Sequence, residues 1–253
     1  MLTRLAEPPD AVVRYAAHDD GLIDVHLPAD VSAPRPLVVY VHGGFWRQAY
    51  DRKHGRPLAN ALVQDGYVVA APEYRRVGGD GGWPVTGEDV DAALGALPGL
   101  LDGLGVRTTT TTLVGHSAGG HLVLWLANQD HGRRVDRVVA LAPVGDLRAA
   151  AELGVGEDAT VELLGGTPDE VPAVYDAADP ATRLRSRPGC DVVVVHGDAD
   201  DDVPVSISRG LKTQAEWVDY RELAGVDHLA LVDPLSAAWP AVRAAIAGGT
   251  LAP

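Results

Sequence analysis

The stretch VGHSAGGHLVLWLA, Val114 to Ala127, sets a serine between two glycines, directly after a β-branched run and directly before a helical one. Gly115-His116-Ser117-Ala118-Gly119 fits Gly-x-Ser-x-Gly. A strand that turns at once into a helix forces the residue at the turn into a strained conformation, and its neighbours must be nearly free of side chain. Such a turn aims a hydroxyl at the carboxyl edge of a sheet, above the positive end of the helix. The five-residue pattern arises by chance; its position between TTTTLVG (109–115) and a helix expected over 121–129 gives it weight.

Outward from this turn, short apolar runs alternate with helical patterns, the signature of a largely parallel sheet covered by helices. AVVRYA (11–16) and LIDVHL (22–27) flank the turn-like HDDG and read as an antiparallel hairpin. LVVYVH (37–42) is continuously apolar, as a strand buried on both faces should be. Further strands are expected at 67–71, 135–142, 191–197 and 217–223, with helices near 56–65, 87–104, 206–215 and 235–247. Between Pro143 and Pro188 the pattern breaks into short helical pieces, too long for a plain connection, and suggests a small lid. GGDGGW (78–83) lacks a following Gly-Lys-Ser/Thr and reads as a flexible loop. The expectation is one α/β domain over 1–253 with an insertion about 143–188.

The chain has 253 residues and a net charge of −14, which argues against nucleic acid or an anionic membrane as partner. Cys190 is the only cysteine, so neither an intramolecular disulfide nor a cysteine zinc site can form. The N-terminal residues MLTRLAEPPDAVVRY lack the apolar core of a signal peptide, and no apolar run approaches the ~20 residues that span a bilayer. A cytoplasmic protein is the expectation.

A serine nucleophile needs a general base, and the base needs an orienting acid. On this architecture the chain order is serine, acid, histidine. Only His196 and His228 lie beyond Pro143. His196 ends a strand and precedes every nearby acid; His228 falls in the loop after the last strand, where the base should arrive. The acid should come from HGDADDDVP, which offers Asp198, Asp200, Asp201 and Asp202. Read as a calcium loop this stretch fails, with Val203 where glycine is needed and Arg209 in place of the closing glutamate. No metal and no cofactor are expected. His42-Gly43-Gly44-Phe45-Trp46 follows a buried strand, and its glycines let backbone N–H groups approach a bound carbonyl; the Ala118 N–H would complete an oxyanion site. His42, His116 and His121 read as supporting residues.

These residues carry a likeness. The chain resembles an α/β-hydrolase over nearly its whole length. HGGFW with GHSAGGHL is similar to the kynurenine formamidase (arylformamidase) branch, to small carboxylesterases of the hormone-sensitive-lipase group, and to the catalytic domain of prolyl-oligopeptidase-type enzymes. The resemblance implies nucleophile Ser117, base His228, and acid Asp200 at the fifth position of HG-x-x-D. It also implies oxyanion donors from Gly44, Phe45 and Ala118. Phe45 stands where the lipase group has a third glycine. Arg75 and Asp89 match a pair that ties a loop to a helix. The activity implied is that of a serine hydrolase on a small ester or activated amide, such as an N-formyl arylamine, with Trp46, Tyr50 and Trp83 lining an aromatic-accepting pocket beside Phe45. Two alternatives remain at this stage. One is an aminopeptidase holding the substrate amine with Glu152, Glu157 or Asp158; the other is a catalytically silent binding protein on the same fold.

Overall fold

A computed structural model describes residues 6–129 and 135–249. Eight strands form one sheet: β1 (Ala11–Arg14), β2 (Leu22–His26), β3 (Arg35–Val41), β4 (Val68–Pro72), β5 (Thr108–His116), β6 (Arg137–Leu141), β7 (Asp191–Gly197) and β8 (Asp219–Leu223). Their spatial order is β1-β2-β4-β3-β5-β6-β7-β8. β1 and β2 are antiparallel to their neighbours, as the hairpin reading requires, and the remaining strands run parallel. This is an α/β-hydrolase fold.

The strand sequences explain the two-sided burial. Along β3, Leu37, Val39 and Val41 face one core with Val138 and Ala140 of β6, while Val38 and Tyr40 face the other with Val139 and Leu141. Residues two apart share a face, so an unbroken apolar run supplies both cores. Helices α1 (Arg56–Gln64) and α9 (Trp239–Ala247) cover the second face. Helices α2 (Val85–Gly103), α3 (Ala118–Leu126) and α8 (Val205–Gln214) cover the first.

The stretch between β6 and β7 holds four short helices: α4 (Leu147–Glu152), α5 (Ala159–Leu164), α6 (Pro172–Ala178) and α7 (Pro180–Arg183). It is sewn into the first core. Leu147, Tyr175, Ala178 and Leu184 are fully buried, and Trp125 Nε1 of α3 donates to Ala177 O at 3.0 Å. Asp179 Oδ1 accepts from both Leu147 N and Ala181 N at 3.1 Å, joining the two ends of the insertion.

Two elements depart from the sequence expectation. Helix α3 begins at Ala118, three residues before the expected start, because the turn at Ser117 leads straight into it. The last helix begins at Trp239 instead of near 235, preceded by a 3₁₀ turn at Leu229–Val232.

Candidate active site

The two glycines around Ser117 are dictated by packing. A Cβ on Gly115 would collide with Gly119 O, and one on Gly119 would collide with Val41 O of β3. The strand and helix therefore touch, and the turn between them is tight. Ser117 sits at φ 56° and ψ −118°, in a region that L-residues avoid at a cost of roughly 1–3 kcal/mol. Ser117 N donates to Leu141 O at 2.9 Å and Ser117 O accepts from His121 N at 3.0 Å, so both sides of the strained residue are held.

The loop after β7 brings Asp200 and not its neighbours to His228. Asp200 Oδ2 accepts from His228 Nδ1 at 2.7 Å and from His196 Nε2 at 3.1 Å. Its Oδ1 accepts from Val203 N at 2.7 Å and Asp202 N at 2.9 Å. Burial alone would raise the Asp200 carboxyl; the hydrogen bonds from His196, His228 and Val203 outweigh it and hold the group well below the usual carboxylate range. Asp198 instead accepts from Gly225 N at 2.6 Å, pinning the turn that precedes His228. His196 Nδ1 meets Ser208 Oγ at 2.7 Å, so with Nε2–H donating to Asp200 the hydroxyl donates to Nδ1. His116 Nε2 donates to His228 O at 3.0 Å and fixes the backbone of that residue.

Ser117, His116 and His228 border one cavity of about 180 Å³, together with Gly43, Gly44 and Asp202. Phe45, Tyr50, His54, Leu229 and Val232 form the rest of its wall. No hydrogen bond joins Ser117 to His228 before substrate arrives, which is common at such sites, where the contact tightens in the complex.

The loop after β3 reaches the same cavity. Gly44, Phe45 and Trp46 have φ of 113°, 54° and 54°. The Phe45 conformation is one a third glycine would adopt freely, and packing holds it here. The ring lies over Gly156 of the insertion, and Arg47 binds Glu162 Oε2 at 2.7 Å and Glu157 O at 2.9 Å. Beneath the loop, His42 meets Gly43 O with Nδ1 and Glu73 Oε1 with Nε2, both at 2.7 Å, while its ring stacks on Tyr74. Glu73 is buried, which would raise it, but His42, Arg76 and the Arg52 N–H bring it down to about 2. Ala118 N–H is at the first turn of α3, where backbone donors have no partner within the helix.

The expected aromatic wall is divided. Tyr50 lines the cavity, but Trp46 and Trp83 do not. Trp46 is 1% exposed and stands edge-on to His121 at 5.2 Å; Trp83 stands edge-on to Trp125 at 5.0 Å. These rings fill the seam between the loop and α3. Arg75 grips Asp89 with Nε at 2.9 Å and Nη2 at 2.6 Å, tying the loop after β4 to α2. His54 and Glu73 escaped the sequence reading. Neither belongs to a motif, and Glu73 meets His42 across 31 positions.

The BD-FAE family model matches residues 23–215. The chain belongs to the BD-FAE family. Esterase LipC of Mycobacterium tuberculosis is 25% identical over 251 residues, covering 85% of this chain, which spans 58% of that protein's length. Kynurenine formamidase of Danio rerio is 24% identical over 235 residues, covering 88% of this chain and 75% of that protein. Esterase B from Lactobacillus rhamnosis superposes with a TM-score of 0.75 at 21% identity over 94% of this chain and 84% of that one, a likeness of fold. In this BD-FAE chain the matched span contains the Ser117 turn, the Gly43–Trp46 loop and Asp200, and stops short of His228. Among the described residues no cluster of three or more His, Cys, Asp or Glu could hold a metal, and no helix is long and apolar enough to cross a membrane.

Proposed function

We propose that this BD-FAE chain is a serine hydrolase that cleaves a small ester through an acyl-enzyme, with Ser117 as nucleophile, His228 as base and Asp200 as the acid that orients it. The observation carrying this reading is the 2.7 Å bond from His228 Nδ1 to Asp200, on a ring that borders the same cavity as the strained Ser117. With Nδ1–H committed to the carboxylate, Nε2 is the nitrogen able to take the serine proton and return it to the leaving group. The backbone N–H groups of Gly44, Phe45 and Ala118 then stabilise the oxyanion, each such donor being worth about 2.7–4 kcal/mol in comparable sites. Water repeats the cycle on the acyl-enzyme.

A cavity of about 180 Å³ is small beside ordinary ligand sites, and suits a small ester. No residue of 143–188 lines it; the insertion acts through Phe45 and Arg47 as a wall of the single domain. Glu152, Glu157 and Asp158 are likewise absent from the lining, which removes support for an aminopeptidase amine site. A formamide substrate is the second reading, favoured by the Danio rerio relative.

The test is steady-state turnover of p-nitrophenyl acetate beside N-formyl-L-kynurenine and an aminoacyl p-nitroanilide, with Ser117→Ala as control. The acetate should lead in kcat/KM and depend on Ser117. A lead by the formamide would transfer the assignment to the second reading. Failure of Ser117 to react with a fluorophosphonate would leave a silent binding protein on this fold.

A further inference from the structure

The charges around the cavity restrict what can leave it. Among the described residues, Asp202 is the one acidic side chain lining the cavity, and no lysine or arginine lines it. Two of the three imidazoles in the wall, His54 and His116, do not compensate. Burial and the neighbouring His42 bring His54 down to about 4. Burial, followed by the repulsion of His228, holds His116 well below the ordinary histidine range. Both rings are neutral at pH 7. Arg47, which follows the Gly43–Trp46 loop, is committed to Glu162 at 2.7 Å and to Glu157 O. Beyond the rim the chain as a whole carries a net charge of −14.

An anionic leaving group entering this space would lose water without gaining a cation. It would also approach the Asp202 carboxylate, which is exposed at the mouth. Like charges roughly 6 Å apart across a wet mouth repel by an amount worth about three- to a hundredfold in association, depending on the local dielectric. A cationic group gains where an anion loses.

We infer that, given the esterase reading above, this site takes esters whose leaving group is neutral or positively charged and rejects those bearing a carboxylate or phosphate, with Asp202 as a residue that sets this preference. Asp202 supports the catalytic loop only through its backbone, with its N–H on Asp200 Oδ1. Changing its side chain therefore leaves that bond in place.

The experiment uses three acetyl esters that differ far from the reacting carbonyl: 4-acetoxybenzamide, 4-acetoxybenzoate and 4-acetoxy-N,N,N-trimethylanilinium. Each kcat/KM is divided by the rate constant for the same ester with free imidazole, which removes intrinsic reactivity. The expected order is cation, neutral, anion, with the benzamide at least about tenfold ahead of the benzoate at low salt and the gap narrowing as salt screens the mouth. Asp202→Asn should shrink the benzamide-to-benzoate ratio at least threefold. Asp201→Asn, whose carboxylate does not line the cavity, should shrink it less. Equal normalised rates for the three esters in the wild type would overturn the inference, as would an equal response of the ratio to both variants. Absence of turnover with the neutral ester would instead defeat the esterase reading on which it rests.

Discussion

The molecule holds two buried histidine–carboxylate pairs of equal length, His228–Asp200 and His42–Glu73, each at 2.7 Å. Burial would raise both carboxylates, and hydrogen bonds from histidine and backbone N–H groups outweigh it and hold them below the ordinary range. What separates them is the second nitrogen of each ring. His42 spends its Nδ1 on Gly43 O and has its face against Tyr74, so it is closed on every side. His228 spends only Nδ1 on the carboxylate, and its ring borders a cavity. Under the proposed mechanism a histidine–acid pair serves as base or as brace according to what the remaining nitrogen meets.

Five measurements would break or sharpen this contrast. The largest effect is expected at His228→Ala, which should lower kcat by about 10,000-fold or more while leaving stability within roughly 1–2 kcal/mol of wild type. Stability should survive because Asp200 keeps His196 and two backbone donors. A loss of folding comparable to the loss of rate would make His228 a brace as well. Next, Asp200→Asn should cost about 10,000-fold in kcat by presenting the wrong partner to Nδ1; a loss under tenfold in ester turnover would remove Asp200 from its proposed role.

His42→Ala should reverse the balance. Removing one member of a buried pair costs about 3–5 kcal/mol, whereas a displaced oxyanion loop should lower kcat by up to about 100-fold. Denaturant unfolding and kcat on the same preparation would separate the two. The acid side of the stability curve probes the same brace. Glu73 is lowered to about 2 from an ordinary 4.5, so its contribution is fully present above about 4.5 and is lost as pH falls towards 2. Glu73→Gln should flatten the Tm profile in that window.

The smallest effect is expected in the insertion. Burial raises Asp179 to about 6, so its ionised form is disfavoured in the folded state. The protein should lose on the order of 2 kcal/mol of stability from this group as pH rises from about 4 to above 6. Asp179→Asn keeps an oxygen for Leu147 N and Ala181 N and should remove that slope. A slope unchanged in the variant would show that the carboxylate titrates normally in the folded protein.

Much of this could be read in one dimension because the relevant signals are local. Strand β3 announces itself by an apolar run, and its two-sided burial follows from the period of two. The Gly-His-Ser-Ala-Gly turn is specified by residues in contact along the chain, since Gly115 and Gly119 must be small where β5 meets α3. The place of His228 after the last strand is a matter of order, and order is what a sequence records. The start of α3 was hidden by Gly119-Gly120, weak helix formers that the turn and the core override.

Other features were decided by tertiary structure alone, because they depend on which distant side chains share a buried space. Four aspartates in HGDADDDVP are alike in residue type, and only the family pattern singles out Asp200; folding gives Asp200 four hydrogen bonds, sends Asp198 to Gly225, and leaves Asp202 at the cavity. Trp46, Tyr50 and Trp83 are equally aromatic, yet two fill a seam and one lines the cavity, since a ring buries its area wherever packing has a gap. Glu73 sits beside a Tyr-Arg pair with nothing in the chain to link it to His42. The sequence determined the fold and the chemistry's ingredients through local pattern and chain order. The charge of the cavity and the partner of each histidine came from long-range contacts, whose energies depend on burial and distance.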